Sequence, residues 1–160
     1  MLLAPAAVSA ALKDTAVPAS PGTAVMRDAA STIVTIETRA GARHQFRVEL
    51  ARTGEEQSRG LMFRTGIPAD GGMLFAPYPG DGGPPREASF WMVNTPTPLD
   101  ILFIRADGTI ARIAADAEPF SDARLESGEP VGAVLEVNAG RCAALGIAEG
   151  DKVSWASRGG

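Results

Sequence analysis

Two charged residues in this chain stand in apolar company. Arg64 closes the run Leu61-Met62-Phe63, and Asp100 sits one residue into the apolar run from Leu99 to Ile104. A guanidinium is a planar fork that grips a carboxylate or sulfate at two points. Arg64 and Asp100, with Asn94 and Thr95 as neutral hydrogen-bonding groups, would hold a small polar ligand. The same two charges equally describe a structural Arg64–Asp100 bridge, because charges buried near apolar strands are normally paired. Trp91 completes the set. In Phe90-Trp91-Met92 its side chain faces opposite to both neighbours if the segment is a strand. An exposed indole beside Asn94 and Asp100 suits a sugar or peptide, by ring stacking within a polar rim. A buried one would be core, with its N–H bonded to backbone.

Other constellations carry different chemistry. Met62, Met73 and Met92 are soft thioether donors of the kind that hold Cu(I), and an indole face can shield a soft cation. Methionine also fills irregular core gaps against aromatic rings, and no M-x-M or M-x-x-M cluster occurs. Cys142 and His44 are the single cysteine and histidine, which excludes an internal disulfide and any multi-histidine metal site. Cys142 has no histidine near it in sequence for a nucleophilic pair, although a place in the first turn of a helix would lower its pKa. Asp100, Glu49 and Glu136 are carboxylates on or near strands. A pair of them would do acid–base work on carbohydrate or peptide, yet no spacing brings two together. There is no P-loop, G-x-G-x-x-G, H-E-x-x-H or C-x-x-C pattern, and no cofactor is implied.

The elements that must position these residues are short. Residues 31–38 read as a strand, followed by a turn at Arg39-Ala40-Gly41. Residues 45–50 alternate, with Phe46, Val48 and Leu50 on one face and Arg47 and Glu49 on the other, as a half-buried antiparallel strand does. Thr53 with Glu56 is a capping box that opens a helix ending near Gly60. Met73-Leu74-Phe75 and residues 89–94 read as strands, separated by a Pro- and Gly-rich surface loop over 77–86. Residues 99–104 and 109–113 flank Asp107-Gly108, a strong hairpin signal. Residues 130–137 form a further strand. Asn138 caps a helix stopped by Gly146, and residues 152–155 close the fold. The expected architecture is mainly β: one compact antiparallel sandwich or partly open barrel with two short helices.

The chain has 160 residues, enough for one domain with a sizeable core. Its 18 glycines and 12 prolines fit many turns rather than a helical bundle. A net charge of −4 argues against a nucleic-acid-binding face. Residues 2–12 are small and apolar, with Val8-Ser9-Ala10 as a cleavage candidate, and resemble the end of a secretory signal without its cationic start. Residues 1–30 are therefore expected to be a leader, disordered or removed, before a β domain over 31–157. The implied location is periplasmic or otherwise exported. No run reaches the ~20 apolar residues of a membrane-spanning helix.

Five motifs occur in order: Gly60-Leu61-Met62-Phe63-Arg64, Gly72-Met73-Leu74-Phe75, Phe90-Trp91-Met92-Val93-Asn94-Thr95, Pro98-Leu99-Asp100-Ile101 and Val134-Leu135-Glu136-Val137-Asn138-Ala139-Gly140. Together they resemble the DUF192 family over roughly residues 33–155. The resemblance implies a compact β-rich fold, often in exported proteins, without an established activity. Two departures stand out: Val93 occupies a position where the family usually has Lys or Arg, and the 77–86 loop is longer than usual. The expectation for function is a non-catalytic module binding a sugar, peptide or carboxylate, or an envelope component, through Arg64, Trp91, Asn94, Thr95 and Asp100. The alternatives are a hydrolase of envelope carbohydrate or peptide using Asp100 and a second carboxylate, and Cu(I) binding by the methionines.

Overall fold

A computed structural model describes residues 30–156. The expected leader lies outside the described residues except for Ala30. The described chain runs β1 (Ser31–Glu37), β2 (Arg43–Ala51), α1 (Gly54–Arg59), β3 (Gly72–Phe75), β4 (Arg86–Phe90), β5 (Leu99–Ile104), β6 (Ile110–Ala117), β7 (Leu125–Val131), β8 (Ala133–Asn138), α2 (Arg141–Leu145) and β9 (Lys152–Trp155). Seven strands form one curled sheet in the order β6-β5-β8-β3-β2-β1-β9, and β4 and β7 form a second, two-stranded sheet. The mainly β half-barrel with two short helices is the expected architecture. One pair, β2 with β3, is parallel, so the large sheet is mixed. Its two edges approach one another: Thr109 bridges Lys152, and the Ile110 N–H donates to the Asp151 carbonyl at 3.0 Å.

Alternation along the strands divides the core between the two faces of this sheet. One face carries Val34, Phe46, Val48, Leu74, Leu102, Leu135 and Val137, with Cys142 of α2 packed among them. The other carries Met73, Phe75, Ile101, Phe103 and Val134 and is covered by Ala88 of β4, Val131 of β7 and Met92. Strands β3, β5 and most of β8 are consequently buried on both faces.

Local signals did their work where they were self-contained. The Thr53 hydroxyl accepts from the Glu56 N–H, and the Glu56 carboxylate accepts from the Thr53 N–H, completing the capping box of α1. The Arg52 N–H, which donates to the same carboxylate at 2.6 Å, and then the Thr53 N–H hold the Glu56 carboxyl below its usual pKa. Asp107-Gly108 turns the β5–β6 hairpin as expected.

Three expectations need correction. The strand read over 89–94 is β4, which begins earlier, at Arg86 within the expected loop, and stops at Phe90. Beyond it the Met92 N–H bonds to the Ser121 carbonyl, and Asn94 adopts φ 55°, which ends extended structure. The strand read over 130–137 is two strands divided at Gly132, where the chain passes from the small sheet to the large one. Asn138 does not cap α2. The N-cap is Gly140, which has no side chain to offer, while the Asn138 amide donates to the carbonyls of Ile67 and Pro68 at 3.2 and 2.9 Å.

The β3–β8 junction tolerates no side chain at Gly72. Its φ is 154°, and a Cβ there would lie 2.0 Å from the Glu136 carbonyl oxygen. Gly72→Ala is expected to lower stability by about 2–4 kcal/mol in urea denaturation, since neither backbone can move without breaking the ladder.

Candidate functional site

Asp100 is 1% exposed and acts as a capping group supplied from a distant strand. Its Oδ1 accepts from the Asp116 N–H at 3.0 Å and the Gly140 N–H at 3.2 Å, and its Oδ2 from the Cys142 N–H at 3.0 Å. Two of these donors belong to the start of α2, where a negative charge also meets the helix dipole. Asp100 thus does what Asn138 was expected to do. Cys142 is correspondingly inert. Burial, and then the neighbouring Asp100 carboxylate, push its thiol up to about 12, the reverse of the lowering expected from the helix start.

Arg64 pairs with Glu49, not with Asp100. The contact is bidentate, at 2.9 and 3.2 Å. Glu49 lies at the buried end of that fork, with its side chain 10% exposed against 38% for the arginine. The anticipated Arg64–Asp100 bridge is therefore replaced by two separate devices on two connections. Asn94 is exposed, and its carbonyl accepts from the Phe63 N–H at 2.8 Å.

A pocket of about 250 Å³ opens between α1, the 77–86 loop and β4. Trp91 and Thr95 line it, as does Met62, but Arg64, Asn94 and Asp100 do not. Trp91 is 39% exposed, with the Arg124 guanidinium 4.1 Å above its ring. Thr95 is buried, its hydroxyl donating to the Val93 carbonyl. Met73 and Met92 are core on the face beneath, while Cys142 packs on the opposite face. The soft donors are thus divided between core, pocket wall and the far side of the sheet.

The pocket walls are tied by Gln57 of α1. Its amide donates to the carbonyls of Ala51 and Pro77 at 3.0 and 2.8 Å, and its Oε1 accepts from the Gly80 N–H at 2.8 Å. Gly80 makes that approach possible, because a Cβ there would lie 2.6 Å from the Thr53 carbonyl carbon. Aromatic rings form the interior. Phe90 meets Phe75 edge-on at 5.1 Å and Tyr78 at 5.9 Å. At the rim, Arg86 pairs with Asp81 at 3.1 Å, and Arg59 is exposed with no partner among the described residues.

Glu136 lines the buried end of this pocket. It is 5% exposed, and its Oε2 has no hydrogen-bond partner. Burial alone raises its carboxyl to about 8, so the group is mostly protonated at neutral pH. The sequence marks Glu136 only as a carboxylate inside an apolar strand. That isolation is the one signal that could have singled it out.

Register settles which carboxylates can cooperate. Asp100 is opposite Val137, while Glu136 is opposite Ile101. Asp100 and Glu136 therefore point to opposite faces of the sheet and cannot form the acid–base pair expected of Asp100. Glu49, Met73 and Glu136 form a row on one face. Two strand spacings, about 10 Å, separate the two glutamates, and Glu49 is outside the pocket lining. The described residues contain no group of three His, Cys, Asp or Glu arranged to hold a metal, and none of their helices is long and apolar enough to cross a membrane.

The fold and pocket define a small β half-barrel domain with an aromatic, carboxyl-ended cleft beside its second sheet. The DUF192 profile, described as an uncharacterized ACR, matches residues 35–155, and the chain belongs to that family. Two solved structures are similar to it. One, from Novosphingobium aromaticivorans DSM 12444 and described as a protein of unknown function, is 44% identical with a TM-score of 0.75, covering 86% of this chain and 94% of its own. The other, from Sinorhizobium meliloti 1021 and described as a candidate transcription regulator, is 42% identical with a TM-score of 0.74, covering 79% of this chain and 94% of its own. No curated protein matches.

Two variants separate scaffold from site. Asp100→Ala strands three backbone N–H groups and is expected to cost about 2–4 kcal/mol in urea denaturation. Glu136→Gln acts through pH. The folded carboxyl holds its proton to about 8, while the unfolded one releases it near its ordinary value. The stabilising contribution of the protonated form is present in full at low pH and is lost as pH rises toward about 8, at about 1.4 kcal/mol per pH unit. Glu136→Gln is expected to abolish that slope and to be the more stable protein at pH 8. An unchanged slope in chemical denaturation across pH 5–8 would show that Glu136 is not its source.

Proposed function

We propose that this protein is a non-catalytic binding module and that its ligand is a small polar molecule housed in the Trp91–Glu136 pocket. The observation that carries this reading is the Glu136 carboxyl, buried and unpartnered at the end of an open, aromatic-walled cleft. Buried polar groups are normally hydrogen-bonded, so a site that leaves one unsatisfied is one that a ligand would complete. At about 250 Å³ the cleft falls just below the ~300–1,000 Å³ of pockets for drug-sized ligands, a size for a monosaccharide or amino acid. Of the residues expected from sequence, Trp91 and Thr95 belong to this site. Arg64 and Asp100 support the reading only as scaffold that fixes the surrounding connections.

The signal-like start of the chain supports export, which puts the ligand outside the cytoplasm. The regulator description of the Sinorhizobium relative suits ligand sensing better than direct DNA contact in this chain, whose net charge is −4.

A thermal-shift screen of monosaccharides, amino acids, dipeptides and small carboxylates tests the site. A ligand at 100 times its Kd should add about 2.7 kcal/mol of stability. Ser89→Trp, which fills the cleft from an exposed wall position of β4, is expected to keep the ligand-free melting temperature within a few degrees and to lose the shift. Shifts that survive in Ser89→Trp, or no shift with any compound, would overturn the assignment.

A further inference from the structure

The groups around the pocket constrain the charge of its occupant. The buried end presents Glu136, whose Oε2 lacks a partner, among the rings of Phe75, Phe90, Tyr78 and Trp91. The outer end presents Arg59, unpaired among the described residues, beside the Arg86–Asp81 pair. A simple anion could accept one hydrogen bond from the neutral acid form of Glu136, but it would bring its charge against the negative faces of the surrounding rings. A bare cation would pass an unpaired guanidinium at the mouth. A neutral sugar would give Glu136 one hydrogen bond and leave Arg59 unanswered. An ammonium brings three donors and an opposite charge to the carboxyl, and aromatic faces attract ammonium groups. A carboxylate is the natural partner of a guanidinium.

We propose that the pocket takes an amino-acid-like zwitterion, its ammonium on the Glu136 carboxyl within the aromatic walls and its carboxylate turned to Arg59 at the rim. This deepens the binding reading given above and rests on it. In the free protein Glu136 is mostly the neutral acid at pH 7. Binding the zwitterion converts it to the carboxylate, and the displaced proton leaves to solvent while the ligand keeps its own three. One proton is thus released per ligand bound below about pH 8. The charged and titratable groups facing Glu136 across the pocket are Arg59 of α1, Tyr78 and the Asp81–Arg86 pair, with Arg124 against the ring of Trp91. On its own sheet face the nearest is Glu49, held by Arg64 beyond Met73. Asp81 is ion-paired with Arg86 and Glu49 with Arg64, whereas Glu136 meets the occupant without a partner of its own.

Isothermal titration of the full chain with L-leucine, L-phenylalanine, N-acetyl-L-leucine, L-leucinamide and glucose tests the assignment. The free amino acids are expected to bind, with affinity rising close to tenfold per pH unit from pH 5.5 to 7 and levelling above about 8. N-acetylation and Glu136→Gln should each weaken binding at least about 30-fold, and Glu136→Gln should also abolish the pH slope. Arg59→Ala, at an exposed position, should weaken L-leucine several-fold and leave L-leucinamide unchanged. If N-acetyl-L-leucine or glucose binds as well as L-leucine, and Ser89→Trp removes that binding, the zwitterion assignment falls while the pocket reading stands. If none of the five binds and the wider screen is also silent, both fall. A full-strength L-leucine site in Glu136→Gln would likewise overturn the assignment.

Discussion

Strand β8 is hydrogen-bonded on both edges, to β3 and β5, and covered on both faces by the two halves of the core. A strand so placed keeps nearly all of its side chains from water. Leu135 and Val137 fill one face and Val134 the other, as apolar residues on a doubly buried strand should. Glu136 obeys the same geometry with the wrong chemistry for it. Desolvation removes the reason for the carboxyl to be charged, and no neighbour restores it. The same close packing excludes a Cβ at Gly72 of the paired strand β3, which would meet the Glu136 carbonyl. The character of the cleft therefore follows from where β8 sits in the strand order.

The contrast with Asp100 shows how finely position decides role. Asp100 and Glu136 lie on neighbouring strands, one step apart in register, and both are almost inaccessible. Asp100 faces the side where α2 begins and receives three backbone N–H groups. Its charge is compensated by hydrogen bonds and by the helix start, and its acceptors are occupied. Glu136 faces the side where β4, α1 and the 77–86 loop leave a gap, and it receives nothing from the protein. One carboxylate serves the fold and the other is available to a ligand, although sequence context makes them look alike.

What was legible in the sequence was what a short segment decides by itself. The Thr53–Glu56 capping box, the Asp107-Gly108 hairpin and the stop at Gly146 depend on residues within a few positions of one another. Period-two alternation placed Trp91 opposite Met92 correctly, even though the strand ends at Phe90. The misreadings all turned on partners distant in sequence. Arg64 found Glu49 rather than Asp100 because β2 brings Glu49 onto the row that includes Met73. Asn138 lost the cap to a residue 38 positions earlier, since Gly140 turns the chain before the helix begins. Residues 130–137 carry one continuous β-forming pattern, and only the change of sheet at Gly132 divides it.

Glu136 also bears on why the cleft exists at all. A buried carboxylic acid without partners is costly to a fold, and an apolar or amide side chain of similar size would serve β8 with less penalty. Nothing in the large sheet uses the group: it caps no helix, pairs with no cation and joins no network among the described residues. The loop geometry points the same way. Gln57 spends its whole amide on three backbone groups, tying α1 to the end of β2 at Ala51 and to Pro77 and Gly80 of the loop. Those bonds fix two walls of the cleft to each other, and Tyr78 between Pro77 and Gly80 meets the Phe90 ring of the third wall at 5.9 Å. An unpartnered buried carboxyl and a cleft in front of it are both departures from the most stable arrangement. They meet at one place, and such departures are expected where a protein does its work rather than where it merely folds.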